Sequence, residues 1–167
     1  NSSYLEVIAT DPNTPPPDRP RWFSLDSPET RARLERRPHA LCWVVAVDNI
    51  ESAVNECGYE CGRILEVTRG DLRWRLTVPD DGSLPENGIL PSLIEWPEDV
   101  HPVAALAPTK IALMGIHLHH PDSLLINDIL VRLGLNCLVK ADTGNPAIAF
   151  SFCCETVNGT QDRIVID

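Results

Sequence analysis

Basic residues and long apolar runs are both scarce in this chain. Its 167 residues include 14 Lys and Arg against 24 Asp and Glu, which gives a formal net charge of -10. A surface of this sign repels nucleic-acid phosphates and anionic lipid headgroups, so we expect neither as the main partner. No stretch approaches the roughly 18 consecutive apolar residues of a membrane-spanning helix, so we do not expect a membrane protein.

Cysteine is also sparse, with 6 residues at irregular spacing. This number is too small for a disulfide scaffold in a chain of this length, and the paired spacing of zinc ligands is missing. Cys57 and Cys61 flank Gly-Tyr-Glu and do not form a Cys-x-x-Cys motif. The pattern predicts free thiols in a reducing, cytoplasmic compartment.

The familiar catalytic fingerprints are absent as well. The sequence has no glycine-rich phosphate loop, no dinucleotide fingerprint and no Gly-x-Ser-x-Gly nucleophile motif. No motif therefore predicts the class of reaction. The prediction of a functional site depends instead on the pattern of strands and charges.

Proline is abundant and is concentrated near the amino terminus. Residues 11–21 contain three consecutive prolines and two more nearby, a composition that favours extended polyproline structure and excludes helix. Asp26 or Ser27 is a suitable cap for a short helix that begins with Pro28. We interpret residues 11–40 as a Pro-rich connector followed by this helix.

Two segments show the same succession of elements. In residues 41–97 a strand, a helix capped by Asp48 or Asn49, and three further strands are predicted. After a linker at 98–110, residues 111–167 repeat this order, with Asp122 or Ser123 as the helix cap. We therefore expect an α+β fold of tandem β-α-β-β-β modules with curved mixed sheets. The predicted strands are 41–47, 64–67, 72–78 and 93–96, then 111–119, 137–139, 147–153 and 163–166.

Two apolar, strand-like runs each carry one carboxylate. Glu6 lies within Tyr4-Leu-Glu-Val-Ile, and Glu95 lies within Leu93-Ile-Glu-Trp96. A charge inside an apolar strand is costly unless it is paired or binds a ligand. We interpret residues 1–10 as the last strand of a first module whose front lies outside this sequence; the alternative is that Tyr4–Thr10 is simply an added strand.

Other side chains are candidates for the same site. Arg73 and Arg75 share one face of their strand, so an arginine there could pair with a glutamate or bind an anionic ligand. Trp22 follows the Pro-rich connector and is a candidate wall of a ligand pocket, although tryptophan is more often a core residue.

Taken together, these motifs resemble the vicinal oxygen chelate superfamily, and within it the glyoxalase-like domain subgroup. The resemblance covers nearly the whole chain and is more specific for fold than for reaction. It is carried by Tyr4-Leu-Glu-Val-Ile, Arg19-Pro-Arg-Trp-Phe-Ser-Leu-Asp, Trp43-Val-Val-Ala-Val-Asp, Leu72-Arg-Trp-Arg-Leu-Thr-Val-Pro-Asp-Asp-Gly and Leu93-Ile-Glu-Trp.

The resemblance implies paired modules that enclose a cleft, in which strand residues of metal-dependent members ligate a divalent ion such as Zn, Ni, Fe or Mn. Glu6 and Glu95 would then occupy the last-strand ligand positions, and Cys42 a first-strand position where the enzymes usually have histidine. Three interpretations stay open: a metal site, a metal-free pocket in which a glutamate acts as base or polar anchor, and structural glutamates paired to arginines.

The functional expectation follows from this resemblance. It implies a glyoxalase-like enzyme of lyase, isomerase or dioxygenase type that acts on a small, vicinally oxygenated or carboxylated molecule, with Glu95 as the catalytic residue. Glu6, Arg75 and Trp22 would line the ligand pocket. The alternative is a non-catalytic protein of the same fold that binds or sequesters a small molecule, and a homodimer could complete an open module.

Overall fold

The computed structural model describes residues 3–97, 101–107, 109–155 and 161–167. Within them the chain forms three α-helices and eight strands in two mixed four-stranded sheets, so the predicted α+β class is confirmed. No helix in these ranges is long and apolar enough to span a bilayer.

The helices are α1 (Pro28–Leu34), α2 (Ile50–Glu56) and α3 (Ser123–Arg132), and short 3₁₀ turns occupy Pro85–Gly88 and Pro102–Ala105. The strands are β1 (Val44–Ala46), β2 (Arg63–Arg69), β3 (Leu72–Val78), β4 (Ser92–Glu95), β5 (Ile111–His120), β6 (Val139–Thr143), β7 (Ala147–Glu155) and β8 (Gln161–Ile166).

The helices begin where the sequence predicted. Ser27 caps α1 by accepting the N–H of Thr30, and Pro28 occupies the first helical position. Asn49 caps α2 and Asp122 caps α3 in the same way. These boundaries depend on local contacts alone, which is why the sequence predicts them well.

The first sheet is formed by residues 44–95 and has the strand order β1-β4-β3-β2. Strand β1 runs parallel to β4, with Val45 opposite Leu93, and the other neighbours are antiparallel. Helix α2 connects β1 to β2 and packs against β4. The β-α-β-β-β succession predicted for residues 41–97 is therefore present.

The second sheet has the order β6-β5-β7-β8, which differs from that of the first. Here the first strand, β5, is parallel to β6 and antiparallel to β7. The predicted succession of elements is present in residues 111–167, but its strands pair in another order. Strand β6 also begins at Val139, where the sequence had predicted a strand to end, because the amide groups of Leu138 and Val139 are used in a turn onto the carbonyl of Leu135.

The strand predicted within residues 1–10 is wrong as far as the described residues go. Residues 3–10 pair with no strand there, and a strand needs a hydrogen-bonded neighbour to be stable in water. Leu5 and Val7 are 62% and 89% exposed, so the apolar run that suggested a strand is not buried. Residues 11–27 contain no helix or strand, in agreement with the Pro-rich composition.

The two sheets share a core. Trp43, which precedes β1, and Ile89 and Leu90 from the loop before β4 are buried in one cluster with residues of β5, β6 and α3, including Leu118 and Leu130. The indole N–H of Trp43 donates to the carbonyl of Ile89 at 2.9 Å, which satisfies its polar atom inside this core. The sheets are therefore held together by buried apolar surface.

Candidate functional site

The two faces of the first sheet have different coverings. Side chains alternate along a strand, so Arg75 and Glu95 project from one face and Trp74 and Trp96 from the other. Helix α2 covers the face of Glu95, whereas the opposite face carries a cluster that we call the aromatic face. The aromatic face consists of Leu65, Val67, Trp74, Leu76, Val78, Ile94 and Trp96, against which Trp22 and Phe23 pack.

Glu95, the predicted catalytic residue, links β4 to α2 and β3. One carboxylate oxygen, Oε2, accepts the backbone N–H of Ile50 at 2.7 Å, and the other, Oε1, lies 3.1 Å from Nη1 of Arg75. The side chain is 21% exposed. Both oxygens are thus engaged, one by the start of α2 and the other by Arg75. The pairing with an arginine is the contact that the structural interpretation had required.

Arg75 is engaged by two carboxylates. It pairs with Glu95 and forms a bidentate contact with Glu51 in the first turn of α2. Its two hydrogen bonds to Glu51, more than the one to Glu95, raise the pKa of the guanidinium, and the contact with Arg75 lowers the pKa of the Glu51 carboxyl. The sequence had suggested that Arg75 could bind an anionic ligand. An arginine with two carboxylate partners has little capacity left for that role.

Glu6 lies elsewhere, on the side of the aromatic face. Its Oε1 is 3.6 Å from Nη1 of Arg69, whose guanidinium lies 5.7 Å from the ring centroid of Trp74. The carboxylate is half exposed to solvent. The structure therefore does not bring Glu6 and Glu95 together, because they lie by opposite faces of one sheet.

Cys42 is near Glu6 and far less exposed. Burial, and then the negative charge of Glu6, raises the pKa of the Cys42 thiol to about 12. A thiol must lose its proton to ligate a metal ion, and this environment opposes that loss at neutral pH.

The predicted metal ligands therefore do not fit a divalent cation. Glu95 is already paired with the cationic Arg75 on the α2 side, whereas Glu6 and the protonated Cys42 lie by the opposite face. Among the described residues, no three His, Cys, Asp or Glu side chains are arranged to hold a metal ion.

Trp22, the predicted pocket wall, does line a pocket. The pocket has a volume of about 470 Å³ and lies between residues 8–11 and the connector, and we call it the Pro-rich pocket. One part of Trp22 packs with the aromatic face, and another part faces the pocket. The lining residues are Ile8, Ala9, Thr10, Asp11, Thr14, Pro15, Pro17, Arg19, Pro20, Arg21, Trp22, Phe23 and Leu25.

The connector is held in place by a carboxylate. Asp26 accepts the backbone N–H of Arg21 at 2.8 Å and pairs with the Arg21 guanidinium at 2.9 Å and with Arg31 at 2.7 Å. The hydrogen bond from the Arg21 backbone is the main reason that the pKa of Asp26 lies below its usual value. The loop that carries Trp22 is therefore closed by contacts between Arg21, which precedes the tryptophan, and Asp26, which follows it.

A close backbone approach fixes the same loop against the first sheet. The N–H of Ser24 donates to the carbonyl of Gly82 at 2.8 Å. Gly82 has φ +71°, and a Cβ there would lie 2.5 Å from the carbonyl oxygen of Arg21. The Pro-Asp-Asp-Gly turn after β3 thus allows the connector to approach, and only glycine fits its last position.

Sequence reasoning missed several residues of this pocket, notably Arg19 and Phe23. The guanidinium of Arg19 lies 4.8 Å from the ring centroid of Trp22, a cation–π distance. The one available signal was that Arg19 and Phe23 lie close to Trp22 in the sequence. The path of a Pro-rich loop cannot be read from the spacing of apolar residues, as a helix or a strand can.

The family comparison agrees with this architecture. The sequence model of the glyoxalase-like domain family matches residues 1–134, which is most of the chain and includes the Pro-rich pocket, the whole first sheet, β5 and α3. No curated protein and no solved structure gives a significant match. The chain belongs to the glyoxalase-like domain family, within the vicinal oxygen chelate superfamily.

Proposed function

We propose that this domain binds an apolar small molecule in the Pro-rich pocket, with Trp22 as the main contact surface. The observation that carries the proposal is the pocket itself: prolines, Ile8, Phe23 and Leu25 make its walls mainly apolar. Its volume of about 470 Å³ falls within the range of roughly 300–1,000 Å³ that is typical of small-molecule sites. Membership of a family of small-molecule enzymes and binding proteins supports the same conclusion.

Rigid walls favour binding, because little entropy is then lost when the ligand enters. Three prolines and the Asp26 network restrict the connector, and Trp22 is backed by the aromatic face. An aromatic side chain held in this way offers a large apolar surface at low conformational cost.

The alternative of catalysis centred on Glu6 and Glu95 has less support. A catalytic carboxylate must reach the substrate, and both oxygens of Glu95 are instead used by Ile50 and Arg75 under α2. Glu6 faces Arg69 by the opposite face of the sheet. The geometry thus favours the binding interpretation over the enzymatic one at these residues.

The test is a fluorescence titration with the neutral probe N-phenyl-1-naphthylamine. We expect saturable binding to the wild-type protein and a loss of about tenfold in affinity in Trp22→Ala, since one aromatic contact contributes on the order of 1 kcal/mol beyond its area. Trp96→Ala is the matched control, because Trp96 belongs to the aromatic face but does not line the pocket.

Two results would contradict the proposal. One is the absence of saturable binding to the folded wild-type protein. The other is an equal loss of affinity in Trp22→Ala and Trp96→Ala, with both variants shown by circular dichroism to be folded, since binding would then not be local to the pocket.

A further inference from the structure

We infer that the ligand of the Pro-rich pocket is an apolar anion, a carboxylate or sulfonate on an apolar body, and that Arg19 binds its charged group. This inference rests on the proposed function and narrows its ligand class. It follows from the three charged side chains that line the pocket, Arg19, Arg21 and Asp11.

Two of these three charges are already engaged. Arg21 is paired with Asp26 through its backbone N–H and its guanidinium. The carboxylate of Asp11 accepts the N–H of Asn13 at 2.8 Å and the hydroxyl of Thr14 at 2.8 Å. The hydrogen bond from Asn13 is the main reason that the pKa of Asp11 is lowered, so Asp11 is ionised at neutral pH but turned towards its own loop.

Arg19 is different. Within the ranges that the structure describes, no carboxylate lies within ion-pair distance of its guanidinium, which instead lies over the ring of Trp22 at 4.8 Å. A guanidinium that stacks on an aromatic ring keeps its N–H donors available at the edge, where they can bind a carboxylate or sulfonate in bidentate fashion. The apolar body of such a ligand would contact Trp22 and the prolines.

The charge of the whole chain sharpens this inference. A protein with a net charge of -10 repels anions on average. A ligand that binds more tightly when it carries a negative charge would therefore indicate a local cation in its site and not a general attraction.

The experiment compares two probes with the same aryl-naphthylamine framework. These are 1-anilinonaphthalene-8-sulfonate, an anion, and the neutral N-phenyl-1-naphthylamine. We expect the anion to bind the wild-type protein at least fivefold more tightly at low salt. In Arg19→Gln this preference should disappear, while the affinity of the neutral probe should change by less than about twofold, because a charge-assisted hydrogen bond is lost and the apolar walls stay.

Arg73→Gln is the matched control, since it removes the same charge from an exposed strand position outside the pocket. It should leave the preference for the anion intact. Asp11→Asn should strengthen binding of the anionic probe about twofold to threefold, because it removes a negative charge from the pocket wall and retains an oxygen that accepts the backbone N–H of Asn13.

The outcomes separate the two proposals. If the neutral probe binds in a Trp22-dependent way but Arg19→Gln does not reduce the preference for the anion, the inference about Arg19 fails and the proposed function stands. An equal effect of Arg19→Gln and Arg73→Gln likewise overturns the inference, since only net charge would matter. If neither probe binds the folded protein, the proposed function fails and the inference fails with it.

Discussion

The first and second sheets are built from the same succession of elements but join their strands differently. In both, a strand leads into a helix that is followed by three more strands. In the first sheet the parallel neighbour of the opening strand β1 is the last strand, β4, whereas in the second sheet the parallel neighbour of β5 is β6, the strand that follows the helix.

Polar side-chain contacts between helix and strand accompany each choice. In the first sheet Glu95 of β4 accepts the N–H of Ile50 at the start of α2. In the second, the side-chain amide of Asn127 on α3 donates to the carbonyl of Ala141 at 2.8 Å and accepts its N–H at 3.2 Å. In each case the helix is linked to the strand that lies parallel to the opening strand. The order of elements along the chain therefore leaves the order of strands in the sheet open, and specific side-chain contacts accompany the strand order that forms.

The largest expected effect tests whether the two sheets form one cooperative unit. Leu130 on α3 is fully buried in the core that both sheets share. Leu130→Ala should lower the free energy of unfolding by about 3 kcal/mol through lost burial and a residual cavity. Urea denaturation followed by circular dichroism and by tryptophan fluorescence should still show one coincident transition.

Leu124→Ala is the control for this substitution. Leu124 lies on the same helix but is 83% exposed, so the change in the free energy of unfolding should stay within about 0.5 kcal/mol. Separate transitions by the two probes in the wild-type protein would show that the sheets unfold independently and would contradict the shared core.

A smaller effect should follow from Asn127→Ala, which breaks the link that is specific to the second sheet. The substitution leaves the N–H and carbonyl of Ala141 without their side-chain partner. We expect the free energy of unfolding to fall by about 2 kcal/mol, the typical cost of backbone groups that lose their hydrogen bonds.

Hydrogen exchange locates that effect. The amides of β6 should exchange faster in Asn127→Ala, while those of β4 should not change. The exposed Asn136→Ala serves as control and should alter neither. Unchanged protection of β6 in a folded Asn127→Ala variant would show that this amide does not hold the strand in place.

The elements of the fold were predictable where their cause is local. Two candidate caps were predicted for each helix from a few neighbouring residues, and in each case one of them is the observed cap: Ser27, Asn49 and Asp122. The strand predicted at 72–78 is also confirmed. The strand order of the second sheet was not predictable in the same way, because pairing depends on contacts between residues far apart in the sequence. The strand expected near Glu6 is missing for the same reason: its apolar run was typical of a strand, but no partner strand lies beside it among the described residues.

The candidate site was predictable in part. The alternation of β3 placed Arg75 on one face and Trp74 on the other, which correctly gave the possibility of a Glu95–Arg75 pair. The sequence could not decide whether that pair faced a ligand or a helix, since this depends on where α2 packs. Arg19 was missed because its relation to Trp22 arises from the path of an irregular loop.

The smallest expected effect compares the two glutamates that the sequence treated alike. Glu95→Gln retains an oxygen for the N–H of Ile50 but replaces the charged partner of Arg75 with a neutral amide. We expect the free energy of unfolding to fall by about 1 kcal/mol, since a charge-assisted hydrogen bond becomes a neutral one. Glu6→Gln should change the free energy of unfolding by less than about 0.5 kcal/mol, because the contact of Glu6 with Arg69 is long and exposed.

Urea denaturation at neutral pH measures the free energy of unfolding of both variants. The neutral naphthylamine probe should bind the two variants as it binds the wild-type protein. A loss of stability in Glu6→Gln larger than that in Glu95→Gln would contradict the expected difference between the two glutamates. A loss of probe binding in Glu95→Gln alone would instead make Glu95 a ligand contact, because a carboxylate that only anchors α2 has no reason to affect a pocket on the other side of the sheet.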